Sequence, residues 1–189
     1  MVIIKKKLIE EAKEYSKLSK FFTSNKHDFH EGGLDAKEKK MFEGKLGEKG
    51  IKQFFLESNI KFKEDDSSYR VADDYDFVIF SDSKKYLVDV KTRTQKHHFK
   101  TLEMVKQLNI KKINLYISVK LSTETQNYKI EIVGWCTKED IIKINRIENL
   151  GYLDNYVMHD KELRNINTLK TYLSYNSLSV ENEYQPVLF

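Results

Sequence analysis

Apolar residues recur at spacings of three and four from Ile4 through Leu8, Ala12, Tyr15, Leu18 and Phe22, with lysines and glutamates between them. That period predicts an amphipathic helix over 2–22. Residues 23–34 have no period and hold Gly32 and Gly33, which predicts a loop ending near Asp35, a residue type suited to an N-cap. A second helix should run on to Ser58. At about 100° per residue, Phe42, Leu46, Gly47, Gly50, Ile51, Phe54 and Phe55 share one wide arc, and Glu48 falls at its edge.

After Asn59 the period becomes extended. Ile60 to Lys63, Tyr75 to Phe80 and Lys85 to Lys91 read as strands, the last two joined by the polar turn Ser81 to Lys84. Phe99, Leu102, Val105 and Leu108 suggest a third helix, and strands follow at Ile113 to Leu121 and Tyr128 to Trp135. Thr137 with Asp140 resembles a capping box and predicts a helix through Ile147. This order predicts an α/β fold, a central mixed sheet of about five strands flanked by helices. The 189 residues suit a single domain with its core at 36–147, an N-terminal helix and a polar, Asn-rich extension at 151–189.

Composition narrows the class. With 40% hydrophobic and 33% charged residues the chain can bury a core and is not of disordered type. No apolar run approaches the about 18 residues of a membrane span, and no leader pattern precedes the first helix, so a soluble, cytoplasmic protein is expected. Its one cysteine, Cys136, excludes an internal disulfide and a thiolate zinc site. His27 and His30 lack the two further ligands that zinc would need. There is no Gly-rich phosphate loop, G-x-S-x-G or H-E-x-x-H. The net charge is only +4, yet Lys84 to Lys112 holds nine Lys or Arg against Asp89 and Glu103. Such a basic stretch suits phosphate binding, and Arg93, Lys96, Lys100 and Lys106 are its candidate nucleic-acid contacts.

An acid two residues before a lysine occurs six times, but only Asp89-Val90-Lys91 lies inside an apolar, β-branched strand. Side chains alternate across a strand, so Asp89 and Lys91 share a face. A buried carboxylate is costly unless it is paired or binds a metal, which makes Asp89 a site candidate. Asp76 opens the preceding strand, and hairpin pairing would set it across from Asp89. Those two carboxylates and the Val90 carbonyl can supply oxygen ligands to Mg²⁺ or Mn²⁺, and Lys91 can hold an attacking water or a developing oxyanion.

Glu48 on an early helix, Asp76 at the start of a strand and Asp89-Val90-Lys91 on the next, with a helix after, resemble the PD-(D/E)XK, or restriction-endonuclease-like, nuclease superfamily. Archaeal Holliday-junction resolvases and small restriction or phage nucleases are the nearest in look, over residues 40 to 135. The resemblance implies a Mg²⁺- or Mn²⁺-dependent endonuclease acting on DNA, duplex or branched. It makes Asp76 and Asp89 metal ligands, Glu48 an auxiliary ligand or water contact and Lys91 the residue that positions water. It also implies a homodimer and is compatible with a larger defence or repair complex. Tyr75 stands where the family name has proline, and Asp73 and Asp74 compete with Asp76 for the ligand position. The alternative is a catalytically inactive nucleic-acid-binding or scaffolding module of the same fold.

Overall fold

The computed structural model describes residues 1–19, 33–65, 74–81, 84–95, 97–123, 127–149 and 153–174. Phe22, the loop that follows it with His27 and His30, Asp73, Lys96 and the end of the tail, with Tyr175 and Tyr184, lie outside the described residues. Two helices, α1 (Lys6–Ser19) and α2 (Leu34–Glu57), lead into β2 (Phe62–Glu64), β3 (Phe77–Phe80) and β4 (Lys85–Arg93), with a short β1 (Val2–Ile3) ahead of them. Then come β5 (Lys100–Met104), α3 (Val105–Ile110), β6 (Leu115–Ser122), β7 (Lys129–Thr137), α4 (Lys138–Ile144), β8 (Ile147–Asn149) and β9 (Asp154–His159). Among the described residues no helix is long and apolar enough to cross a membrane.

The main sheet is mixed and has six strands in the order β1-β7-β6-β4-β3-β2. β4 and β6 run parallel, and the other neighbours are antiparallel. Tyr86 and Val88 point from β4 to the face covered by α1 and α2, where Leu46, Ile51, Phe55, Phe77, Ile117 and Trp135 form the larger core. Ion pairs brace that layer: Glu64 lies 2.6 Å from both Lys49 and Lys52 of α2, and Glu11 of α1 reaches Lys49 at 3.0 Å. A second sheet, β5-β9-β8, belongs to the opposite side with α3 and α4. Leu108, Tyr116, Cys136, Ile141 and Met158 fill the space there.

Three expectations change. Val2 and Ile3 pair with Ile130 and Lys129 instead of starting the helix, because an apolar edge on β7 is available to them. The helix expected from Phe99 is a strand as far as Met104, with Thr101 and Glu103 buried in alternation. The inward positions are Thr101 and Glu103 and not the apolar residues of the expected stripe, and β9 supplies the partner, Glu103 pairing with Tyr156. The last predicted helix stops at Ile144, since Asn145 takes a left-handed conformation (φ 48°) that caps it. Its start is as read: Asp140 N–H donates to Thr137 Oγ1 at 3.1 Å, and Asp140 Oδ2 accepts from Thr137 N–H at 2.8 Å. The polar extension is integral where described. β9 pairs with β5, Trp135 Nε1–H donates to the Asn165 carbonyl at 3.0 Å, and Leu169 is fully buried in the larger core.

Candidate active site

β4 runs through the middle of the sheet, and its pleat sends Asp89 and Lys91 away from the larger core toward the second sheet. The antiparallel register, with Phe77 opposite Val88, sets Asp76 beside Asp89. Asp76 is fastened to β4 twice: its N–H donates to the Val88 carbonyl at 2.8 Å, and its Oδ2 accepts from Val90 N–H at 2.6 Å. Asp74 is exposed.

Glu48 arrives from α2, and two glycines set how closely that helix lies. A Cβ on Gly47 would stand 1.9 Å from Thr92 Oγ1 of β4, and one on Gly50 would stand 2.5 Å from the Ile130 side chain. The close approach brings Glu48 within electrostatic reach of Asp76, while Lys45, one turn earlier, pairs with Glu48 at 2.5 Å. Burial, then Glu48 and then Asp89, push the Asp76 carboxyl well above the usual carboxylate range, and Lys45 and the Val90 N–H only partly oppose them. Three carboxylates from three elements therefore crowd one end of β4.

On the other side of Asp89, Lys91 is gripped between two acids. Its Nζ lies 2.7 Å from Asp89 Oδ2 and 2.6 Å from Glu103 Oε2, and Lys111 stands 3.8 Å from Asp89 Oδ1. Burial alone would drive the Lys91 ammonium toward neutrality, but Asp89 and then Glu103 outweigh it and hold its pKa above the ordinary lysine range. Burial also works against a charged Asp89, yet Lys91 and Lys111 keep that carboxyl below its usual value. For Glu103 burial wins, and its carboxyl is pushed up despite the contact with Lys91. Tyr116 flanks the group: register sets it beside Asp89, and Lys91 Nζ lies 5.9 Å from its ring centroid.

Glu103, Lys45, Lys111 and Tyr116 were not singled out as site residues from the sequence. Glu103 carries little signal, since Val105 and not a lysine stands two residues on, and the helical reading of the segment sets it among lysines.

The basic run divides. Arg93 is turned inward with its side chain 9% exposed, donating to the His98 and Lys100 carbonyls at 3.1 and 2.9 Å and pairing with Asp160 at 2.8 Å. Lys100 is ion-paired with Glu148, and Lys106 is exposed. His97 and His98 are exposed, their rings edge to face. Cys136 is buried, and burial pushes its thiol up to about 12, which leaves it inert.

All donors at the acidic end of β4 are oxygens, the set suited to hard divalent cations such as Mg²⁺ and Mn²⁺. Among the described residues no three His, Cys, Asp or Glu side chains already converge closely enough to hold a metal. Lysines occupy them instead, Lys45 on Glu48 and Lys91 with Lys111 on Asp89. One Glu103 oxygen, Oε1, is buried with no hydrogen-bond partner. The chemistry of the donor set and the excess of negative charge around Asp76 both fit a bound cation.

No protein-family model and no curated protein matches the chain. Among solved structures, a nuclease from a fusselovirus is similar at 10% identity and a TM-score of 0.42, over 69% of this chain and 86% of that one. A bacterial homing endonuclease is similar at 11% identity and a TM-score of 0.41, over 75% of this chain and 96% of that one. Likenesses this distant carry no functional argument, which rests on the site's own chemistry.

Proposed function

We propose that this chain is a metal-dependent nuclease that hydrolyses DNA phosphodiester bonds. One observation carries the reading: an aspartate and a lysine share a face of a central strand, and a second aspartate is fastened across from them by Asp76 Oδ2 on Val90 N–H at 2.6 Å. Charges in such a position are costly for stability, and phosphodiester hydrolysis needs them.

In this reading Asp76, Asp89 and the Val90 carbonyl hold Mg²⁺ or Mn²⁺, with Glu48 as an auxiliary ligand. The cation supplies Lewis acidity and eases deprotonation of water. Lys91 keeps its proton at neutral pH, because Asp89 and Glu103 outweigh burial. It therefore acts as a donor that orients water or meets the charge developing on phosphate oxygens, not as a base. Asp89 both holds Lys91 and faces Asp76, so it sets the distance between the two halves of the site. Exposed Lys106 suits contact with the DNA backbone, whereas Arg93 serves the fold. Cutting both strands of a duplex calls for two such sites, which a homodimer would supply.

The test is cleavage of labelled duplex, single-stranded and branched DNA in Mg²⁺, Mn²⁺ or a chelator, beside Lys91→Ala. Wild-type protein should cut only with a divalent cation, and Lys91→Ala should lose about 10²-fold or more in rate with DNA binding retained. Equal rates for the variant, or cutting in the chelator, would overturn the assignment. DNA binding without any cutting would indicate an inactive binding module.

A further inference from the structure

The face of β4 that bears Asp89 and Lys91 is crossed by a strand for which the proposed chemistry has so far no use. β5 lies over it with Thr101 Oγ1 on Ser118 Oγ of β6 at 2.7 Å, and two residues later Glu103 reaches Lys91. We propose that Glu103 is a positioning residue for Lys91, the second prong of a fork that aims its ammonium at the scissile phosphate. The inference rests on the nuclease reading and extends the site to the second sheet.

A lysine side chain has many rotamers, so one anchor leaves its head mobile. Asp89 is such an anchor, on the same strand two residues away. Glu103 approaches from a different sheet, and contacts of 2.7 and 2.6 Å from two directions fix where the Nζ lies. The side chain as a whole stays 22% exposed.

Glu103 itself is only 4% exposed, and its Oε1 has no hydrogen-bond partner. Among the described residues its ion-pair partner is Lys91. Stability does not call for such a residue, since apolar side chains can replace buried ion pairs at little or no cost. Function does, if Lys91 must be aimed. Tyr116 closes the remaining side, its hydroxyl buried without a partner and its ring beside the Lys91 head.

Glu103→Gln keeps the shape and removes the charge, and Glu103→Asp keeps the charge and removes the reach. With Mg²⁺ and a DNA that the wild type cuts, both should lower kcat about 10–100-fold while KM for DNA and the half-saturating Mg²⁺ concentration stay within about twofold. In a Lys91→Ala background the same changes should add less than about twofold, because the fork has nothing left to hold. Losses that multiply in that background, or wild-type rates in Glu103→Asp, would overturn the proposal. A raised Mg²⁺ requirement would overturn it too, and would make Glu103 a cation ligand. A crystal structure of Glu103→Gln reads the fork without any activity. Lys91 Nζ should have shifted from its wild-type position or lost its order, and an unchanged, well-ordered Nζ would count against Glu103. If the wild type cuts no nucleic acid, the nuclease reading fails, and the crystal structure still decides whether Glu103 holds Lys91.

Discussion

At Asp76 the backbone and the charge pull in opposite directions. Its backbone belongs to the hairpin and its Oδ2 takes the Val90 N–H, but burial and the Glu48 and Asp89 carboxylates oppose its charge. A carboxyl whose folded-state pKa is raised stabilises the protein fully in acid and loses that contribution as pH climbs through the folded value. At neutral pH, without a cation, the wild type therefore carries the penalty. Asp76→Asn keeps an acceptor for Val90 and discards the charge. In a chelator at pH 7 it should melt about 2–4 °C above wild type, the equivalent of about 1 kcal/mol, and cut no DNA. The gap should close below about pH 4, where both side chains are neutral. A lower melting temperature at every pH would mean that Asp76 is needed by the fold instead.

The helix α2 shows how an element aims a side chain that it does not bury. Gly47 lets the helix settle on β4, and Glu48, the next residue, inherits its position from that contact. Alanine would gain about 1 kcal/mol in helix propensity, yet its Cβ would stand 1.9 Å from Thr92 Oγ1, and overpacking of this kind costs about 1–3 kcal/mol. Gly47→Ala should therefore lower both the melting temperature and the cleavage rate, and Thr92→Ala in the same chain should recover part of both, since the Cβ at 92 would still stand 2.9 Å away. A single variant that melts at or above wild type would show that Thr92 swings aside and that Gly47 does not set the approach.

At this scale what could be read from sequence separates by the range of the contact. The hairpin β3-β4, the capped start of α4 and the placing of Asp76, Asp89 and Lys91 are local: a turn, a box three residues long and a period of two suffice. Glu103 was hidden because β5 owes its extended form to β9, about fifty residues on, and no local pattern records that partner. Arg93 likewise reads as a phosphate ligand in sequence, and only Asp160 shows it to be part of the frame.

As a whole the molecule is two sheets with the charged face of β4 between them, so the site depends on how the second sheet is held. Glu162 ties two of its strands together. Its carboxylate takes two bonds from the Arg146 guanidinium, both 2.8 Å, and one from His159 N–H at 2.8 Å at the end of β9. The Arg146 bonds, ahead of the His159 N–H, outweigh burial and pull its carboxyl from 4.5 down to about 2. A depressed carboxyl stabilises above its unfolded value and loses that contribution as pH falls toward the folded one. Melting temperature should thus fall between about pH 4.5 and pH 2 more steeply in wild type than in Glu162→Gln. Parallel curves for the two proteins would show that this pair does not hold the sheet.

The join between β4 and β6 has a consequence for assembly. Two parallel neighbours cannot be linked by a tight turn, and the crossover here is the stretch that contains β5 and α3. β5 in turn completes its sheet only with β9, near the end of the described chain. Loop-closure entropy makes such distant pairings late events in folding. Asp89 meets Asp76 through a local hairpin, whereas Glu103 reaches Lys91 by way of a pairing about fifty residues long. A chain cut short before β9 would therefore keep the acids of the hairpin and lose the second anchor on Lys91.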